Sequence, residues 1–112
     1  MSKTAQAAID AARQAVRGIA ISDFTLYELS TLFRKKQFGL AISMESFLYE
    51  VEARFIVLPI TARISACAFS LPAGYPKDPA DRVIGATALV EGLTLVTADA
   101  QIRRSRALPT IW

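Results

Sequence analysis

Three acidic residues far apart in the chain, Glu28, Asp81 and Asp99, have the types and settings from which a hard-cation site can be assembled. Each lies where a short apolar run gives way to a helical pattern. Glu28 stands a few residues past Ile19-Ala20-Ile21, Asp81 follows the helix-start signature Asp78-Pro79-Ala80, and Asp99 follows Leu93-Thr94-Leu95-Val96-Thr97. In an open α/β sheet, ligand sites form outside the carboxyl ends of strands, so Asp81 and Asp99 are expected to converge there. The chain contains no histidine, which excludes His-based triads, His-ligated zinc and His general bases. Oxygen ligands point instead to Mg²⁺ or Mn²⁺. The same acids also suit a plainer role, because acidic residues are common at helix starts: Asp81 can assist a cap and Asp99 can be one.

The elements that must position these acids can be read from the pattern around them. Asp78 is expected to cap a helix with Pro79 in its first turn, Ile84, Ala88 and Leu89 as an apolar stripe, and Gly92 as its stop. Leu93 to Thr97 reads as a parallel strand covered on both faces. Upstream, a helix through about Arg17 carries Ala5, Ala8, Ile9, Ala12 and Val16 and ends at Gly18, and Ile19 to Ile21 follows as a strand. A second helix, about Thr25 to Lys36, has Leu26, Leu29, Leu32 and Phe33 as its stripe. Phe38-Gly39-Leu40 is a connector and Ser43 opens another helix. Phe55 to Leu58 reads as a strand, Thr61 caps a helix to about Leu71, and Pro72 to Pro76 is a breaker-rich loop. A short helix after Asp99 runs through Arg106, and Thr110-Ile111-Trp112 can form an edge strand. The alternation calls for an α/β fold of three layers, a mostly parallel sheet flanked by helices, in a single domain over residues 1–112.

Of the 112 residues, 53% are hydrophobic, yet no apolar run approaches the roughly 20 residues that a membrane span needs. The start lacks the apolar core of a secretory signal, so a cytoplasmic protein is expected. The single cysteine, Cys67, reads as a small buried hydrophobe and permits no disulfide framework. Thirteen basic against ten acidic residues give a net charge of +3, a mild bias toward polyanions. Arg34, Lys35 and Lys36 are consecutive and suit contact with substrate phosphates; Arg103, Arg104 and Arg106 form a second cluster. For both, the ordinary alternative is a solvated helix end where cations offset the dipole.

Three segments together resemble the PIN domain of the VapC toxin type. Ile21-Ser22-Asp23-Phe24-Thr25-Leu26-Tyr27-Glu28-Leu29 is similar to the family's second acidic segment. Asp78-Pro79-Ala80-Asp81-Arg82-Val83-Ile84-Gly85-Ala86-Thr87-Ala88 is similar to its third, and Leu93 to Asp99 to its fourth. The ending Leu108-Pro109-Thr110-Ile111-Trp112 resembles its closing strand. The resemblance implies a metal-dependent ribonuclease acting on RNA, the toxin of a pair with a VapB-type antitoxin, working as a homodimer. It implies that Glu28, Asp81 and Asp99 are the catalytic and metal-holding acids, that Asp78 caps, and that Thr97 is a polar residue beside Asp99 at the substrate.

One departure from the family pattern stands out. Family members begin with an apolar strand that ends in an Asp, and this sequence starts at or inside the helix that follows it. Asp10 does not substitute, since it falls one residue from the stripe member Ile9 and reads as a surface residue. The expectation is an N-terminally truncated PIN-like fold with unpaired backbone on both neighbours of the central strand, unless two chains exchange elements in a dimer. A non-catalytic binding or assembly module on the PIN scaffold is the alternative function. A phosphate-binding receiver-like domain is disfavoured because the chain has no Gly-rich loop.

Overall fold

Four consecutive residues of one helix, Gly85, Ala86, Thr87 and Ala88, are buried. Four residues cover more than a full turn, so this helix is enclosed on most of its circumference and the rest of the fold packs around it. The computed structural model describes residues 2–14, 18–36 and 42–112. In chain order the elements are α1 (Lys3–Gln14), β1 (Ala20–Ser22), α2 (Asp23–Lys36), α3 (Met44–Arg54), β2 (Ile56–Leu58), α4 (Ala62–Ser70), the central α5 (Pro79–Glu91), β3 (Leu95–Val96), α6 (Ala100–Ser105) and β4 (Thr110–Ile111). The fold is therefore mixed α/β with parallel strands, as the alternation requires.

Local chemistry sets the boundaries of α5. Asp78 caps it, its Oδ1 accepting from the Ala80 and Asp81 N–H groups at 2.8 and 3.3 Å, and Pro79 occupies the first turn where no N–H is needed. Gly92, at φ +68°, closes the other end: its N–H reaches the Leu89 carbonyl and the Leu93 N–H reaches that of Ala88, the paired bonds of a Schellman stop. Ser43 and Thr61 cap α3 and α4 through their hydroxyls, accepting from Ser46 and Ile64 N–H.

Both faces of α5 feed a core. On one, Ala88 joins Leu71, Tyr75, Ile102 and Leu108; on the other, Ala86 joins Ile64 and Ala68. Small residues at this contact let α4 and α5 approach closely, and Arg82 adds a bond from its Nη1 to the Ala68 carbonyl at 3.1 Å. Cys67 packs on this second cluster but is half-buried rather than enclosed. Phe33 and Phe47 stack at 5.1 Å between α2 and α3.

The strands pair as β1 with β2 and β3 with β4, both in parallel register: Ile21 lies opposite Val57 and Val96 opposite Ile111. Among the described residues no strand hydrogen bonds join the two pairs, so the expected sheet is divided into halves. The strand expected from Leu93 to Thr97 is confined to Leu95–Val96 and is not covered on both faces, since Val96 and Leu93 are exposed. Leu32 and Leu89, expected on inner stripes, are also exposed. Val16, Arg17 and the connector Phe38-Gly39-Leu40 lie outside the described residues. Asp10 accepts from the Gln6 amide on an exposed face, as a surface residue should. Among the described residues no helix is long and apolar enough to cross a membrane.

Candidate acidic site

Each acid is delivered by the start of a helix that follows a strand or a loop. Ser22, the last residue of β1, accepts from the Phe24 N–H at 3.1 Å and starts α2, so Glu28 falls in the second turn of that helix. Asp23 ties this corner to the exit of β2, its Oδ2 accepting from the Ile60 N–H at 3.2 Å. Its Oδ1 is buried without a hydrogen-bond partner among the described residues. Asp81 sits in the first turn of α5. Because Asp78 already serves the free N–H groups there, the Asp81 carboxylate makes no hydrogen bond among the described residues.

Asp99 caps α6. Its Oδ1 accepts from the Ile102 N–H at 2.9 Å, and its own N–H donates to the Thr97 hydroxyl at 3.1 Å. The cap engages one Asp99 carboxylate oxygen and leaves the other without a hydrogen bond among the described residues. Thr97 acts on Asp99 directly, holding its backbone in place. The Thr97 N–H in turn donates to the Ile111 carbonyl at 3.1 Å, fastening the exit of β3 to the end of β4.

The acids act on one another. The Glu28 carboxyl is pushed above its usual range first by loss of hydration and then by the negative charges of Asp78 and Asp81. The Asp81 carboxyl is pushed up likewise, by burial first and then by Asp78 and Asp99. A carboxylate in the first turn of a helix would ordinarily be stabilised by the dipole, so at Asp81 burial and like charge outweigh it. Segments 28, 78–81 and 99, distant in sequence, thus share one electrostatic field, with Asp81 at its centre.

A hard divalent cation suits this donor set by charge and by ligand type. Among the described residues, no three acidic, histidine or cysteine side chains stand close enough to hold an ion together. Mg²⁺ does not require such a cage; it is commonly held by one or two carboxylates, with water and substrate phosphate completing its shell.

Arg34 and Lys35 are exposed on the last turn of α2, away from the strand exits, and neither is among the charges that shift the acids; the Lys36 side chain lies outside the described residues. One contributor has no signal in the sequence beyond its place in a breaker-rich loop. Tyr75 is fully buried beneath α5 and its hydroxyl donates to the Asp81 carbonyl at 2.6 Å.

Comparison with known proteins adds to this geometry. The sequence matches the PIN domain family over residues 2–108. It is 36% identical over 88 residues to Ribonuclease VapC22 of Mycobacterium tuberculosis, an alignment covering 79% of this chain and 68% of that protein. Two solved structures share its fold: a toxin–antitoxin complex from Klebsiella pneumoniae and VapBC2 from Rickettsia felis bound to a DNA fragment from its promoter. The first has a TM-score of 0.64 at 21% identity, covering 83% of this chain and 72% of that one. The second has a TM-score of 0.63 at 24% identity, covering 83% and 73%.

Proposed function

Because this chain belongs to the PIN domain family, we propose that it is a Mg²⁺- or Mn²⁺-dependent endoribonuclease of the VapC toxin type, neutralised by a VapB-type antitoxin. Within this proposal it acts in the cytoplasm as a homodimer and as one PIN-like unit. The observation that carries it is the clustering of acids about Asp81: burial first, then Asp78 and Asp81, raise Glu28, and burial first, then Asp78 and Asp99, raise Asp81, the cost an apo site bears when it is built for a cation. The relatives support the choice of RNA and of an antitoxin, since one is a ribonuclease and the others are toxin–antitoxin assemblies.

Asp81, with its carboxylate free of hydrogen bonds among the described residues, is the first ligand in this proposal, and the uncommitted oxygen of Asp99 the second. A divalent ion there supplies charge neutralisation at a phosphodiester and a more acidic water for in-line attack. Glu28, whose carboxyl burial and the charges of Asp78 and Asp81 push above its usual range, would be the residue placed to take up a proton at this site. Thr97 keeps Asp99 in register and Tyr75 does the same for Asp81. With fewer than three side chains close together among the described residues, weak metal affinity and reduced turnover are expected.

That same spacing favours the second reading, a non-catalytic PIN scaffold that still docks an antitoxin segment. Incubation of single-stranded RNA with the chain and Mn²⁺ separates the two. Cleavage that disappears in Asp81→Asn, with the circular dichroism spectrum unchanged, supports the nuclease. A folded wild-type chain that leaves RNA intact, while binding an antitoxin peptide, favours the scaffold.

A further inference from the structure

A basic groove opens beside the acidic site. It is a wide, open depression of about 830 Å³ lined by Ala100, by Arg103, Arg104 and Arg106 at the end of α6, and by Thr110, Ile111 and Trp112 at the end of β4. Its position relative to the acids follows from the backbone. Ala100 is the residue after Asp99, and the Thr97 N–H is bonded to the Ile111 carbonyl, one residue before Trp112. At its Ala100 end the groove therefore adjoins Asp99.

Helix dipole compensation does not account for these arginines. The helix has six residues, and two exposed arginines in its last turn, Arg103 and Arg104, are followed by a third at the cap, Arg106, none of them in an ion pair among the described residues. Arg106 also holds a left-handed backbone, φ 55°, that glycine would adopt at lower cost. Trp112 is exposed beside them. Cations that track a phosphate backbone, set next to an aromatic face, are the two parts of a sequence-tolerant single-strand binding surface. An acidic peptide would use the cations and leave the indole idle.

We propose that this groove binds a single strand of RNA running to the acidic site, with Arg103, Arg104 and Arg106 on its phosphates and Trp112 stacked on one of its bases. The choice of RNA rests on the ribonuclease proposal above, but the test is made without metal, so binding and cleavage can fail separately.

Trp112 is the only tryptophan in the chain, so its emission reports the groove alone. The full chain in EDTA is titrated with a short oligouridylate. Saturable quenching of Trp112 is expected, and Arg103→Gln/Arg104→Gln should weaken binding about tenfold or more. The dependence of log Kd on log salt should become shallower by about 0.7 for each phosphate no longer neutralised. Arg103→Lys/Arg104→Lys should retain the salt slope, which separates loss of charge from loss of fold. Absence of quenching, or equal affinity in the Gln variant, overturns the groove. Equal binding of polyglutamate with the same salt slope also overturns it, in favour of an acidic peptide. Cleavage without quenching removes the groove and leaves the nuclease; quenching without cleavage does the reverse.

Discussion

The Tyr75 hydroxyl donates to the backbone carbonyl of Asp81 at 2.6 Å from a fully buried position. A loop side chain thereby fixes the turn that presents the central acid. Burial pushes the Tyr75 phenol up to about 12, with the charges of Asp81 and Asp99 adding to the rise and Arg82 opposing it, so this donor keeps its proton across the working pH range. Tyr75→Phe should cost about 1 kcal/mol, the usual net value of one such bond, and lower Tm by roughly 4 °C. Thermal denaturation checks the stability, and the ratio of RNA cleavage in the variant to the parent checks whether Asp81 loses its position.

Gly85 lies directly above that phenol. A Cβ there would overlap the Tyr75 hydroxyl, approach its Cζ to 2.8 Å and press on Leu108 at 3.3 Å. Alanine would gain up to about 1 kcal/mol of helix propensity, but overpacking against a buried ring costs roughly 1–3 kcal/mol, and the overlap wins. Gly85→Ala should therefore destabilise. Adding Tyr75→Phe removes only the nearest obstruction, so the double variant should lose less than the sum of the two single losses in urea denaturation.

The contrast between Tyr75 and Asp78 explains what the sequence makes legible. Asp78, Pro79 and Gly92 act within a few residues of themselves, so their types alone give the ends of α5; Ser43 and Thr61 likewise mark the starts of α3 and α4. The strand exits that precede Glu28 and Asp99, and the loop-to-helix start that delivers Asp81, are visible in the same way. Tyr75 bonds six residues ahead, but its burial depends on Leu71, Ile102 and Leu108 arriving from other elements, and nothing local announces that. The exposure of Val96 depends on what packs against that face of β3, which a run of apolar residues does not state. Trp112 reads as an edge-strand terminus, and only the parallel register of β3 and β4 puts it beside Thr97.

The raised carboxyls give the apo chain a characteristic pH response. The usual values are 4.5 for Glu28 and 3.8 for Asp81, and both rise on folding. Between the unfolded and folded values the folded chain binds more protons, so this contribution to stability is complete below the unfolded values and is lost as pH rises through the folded ones. Both groups are well solvated, which limits the effect to roughly a few tenths of a kcal/mol. Thermal melts in EDTA across the mildly acidic range should show Tm declining with pH from this source, less steeply in Asp81→Asn. At neutral pH, Asp81→Asn should melt slightly above the parent.

If Asp81 and its acidic neighbours serve one divalent ion, Mn²⁺ titration followed by electron paramagnetic resonance detects it without recourse to activity. The parent chain at neutral pH should deplete the free Mn²⁺ signal with a dissociation constant of about a millimolar or tighter, and Asp81→Asn should weaken that binding about tenfold or more, while Asp10→Asn should leave it unchanged. Binding that is absent from the folded parent, or that survives Asp81→Asn undiminished, would rule out a metal site at Asp81.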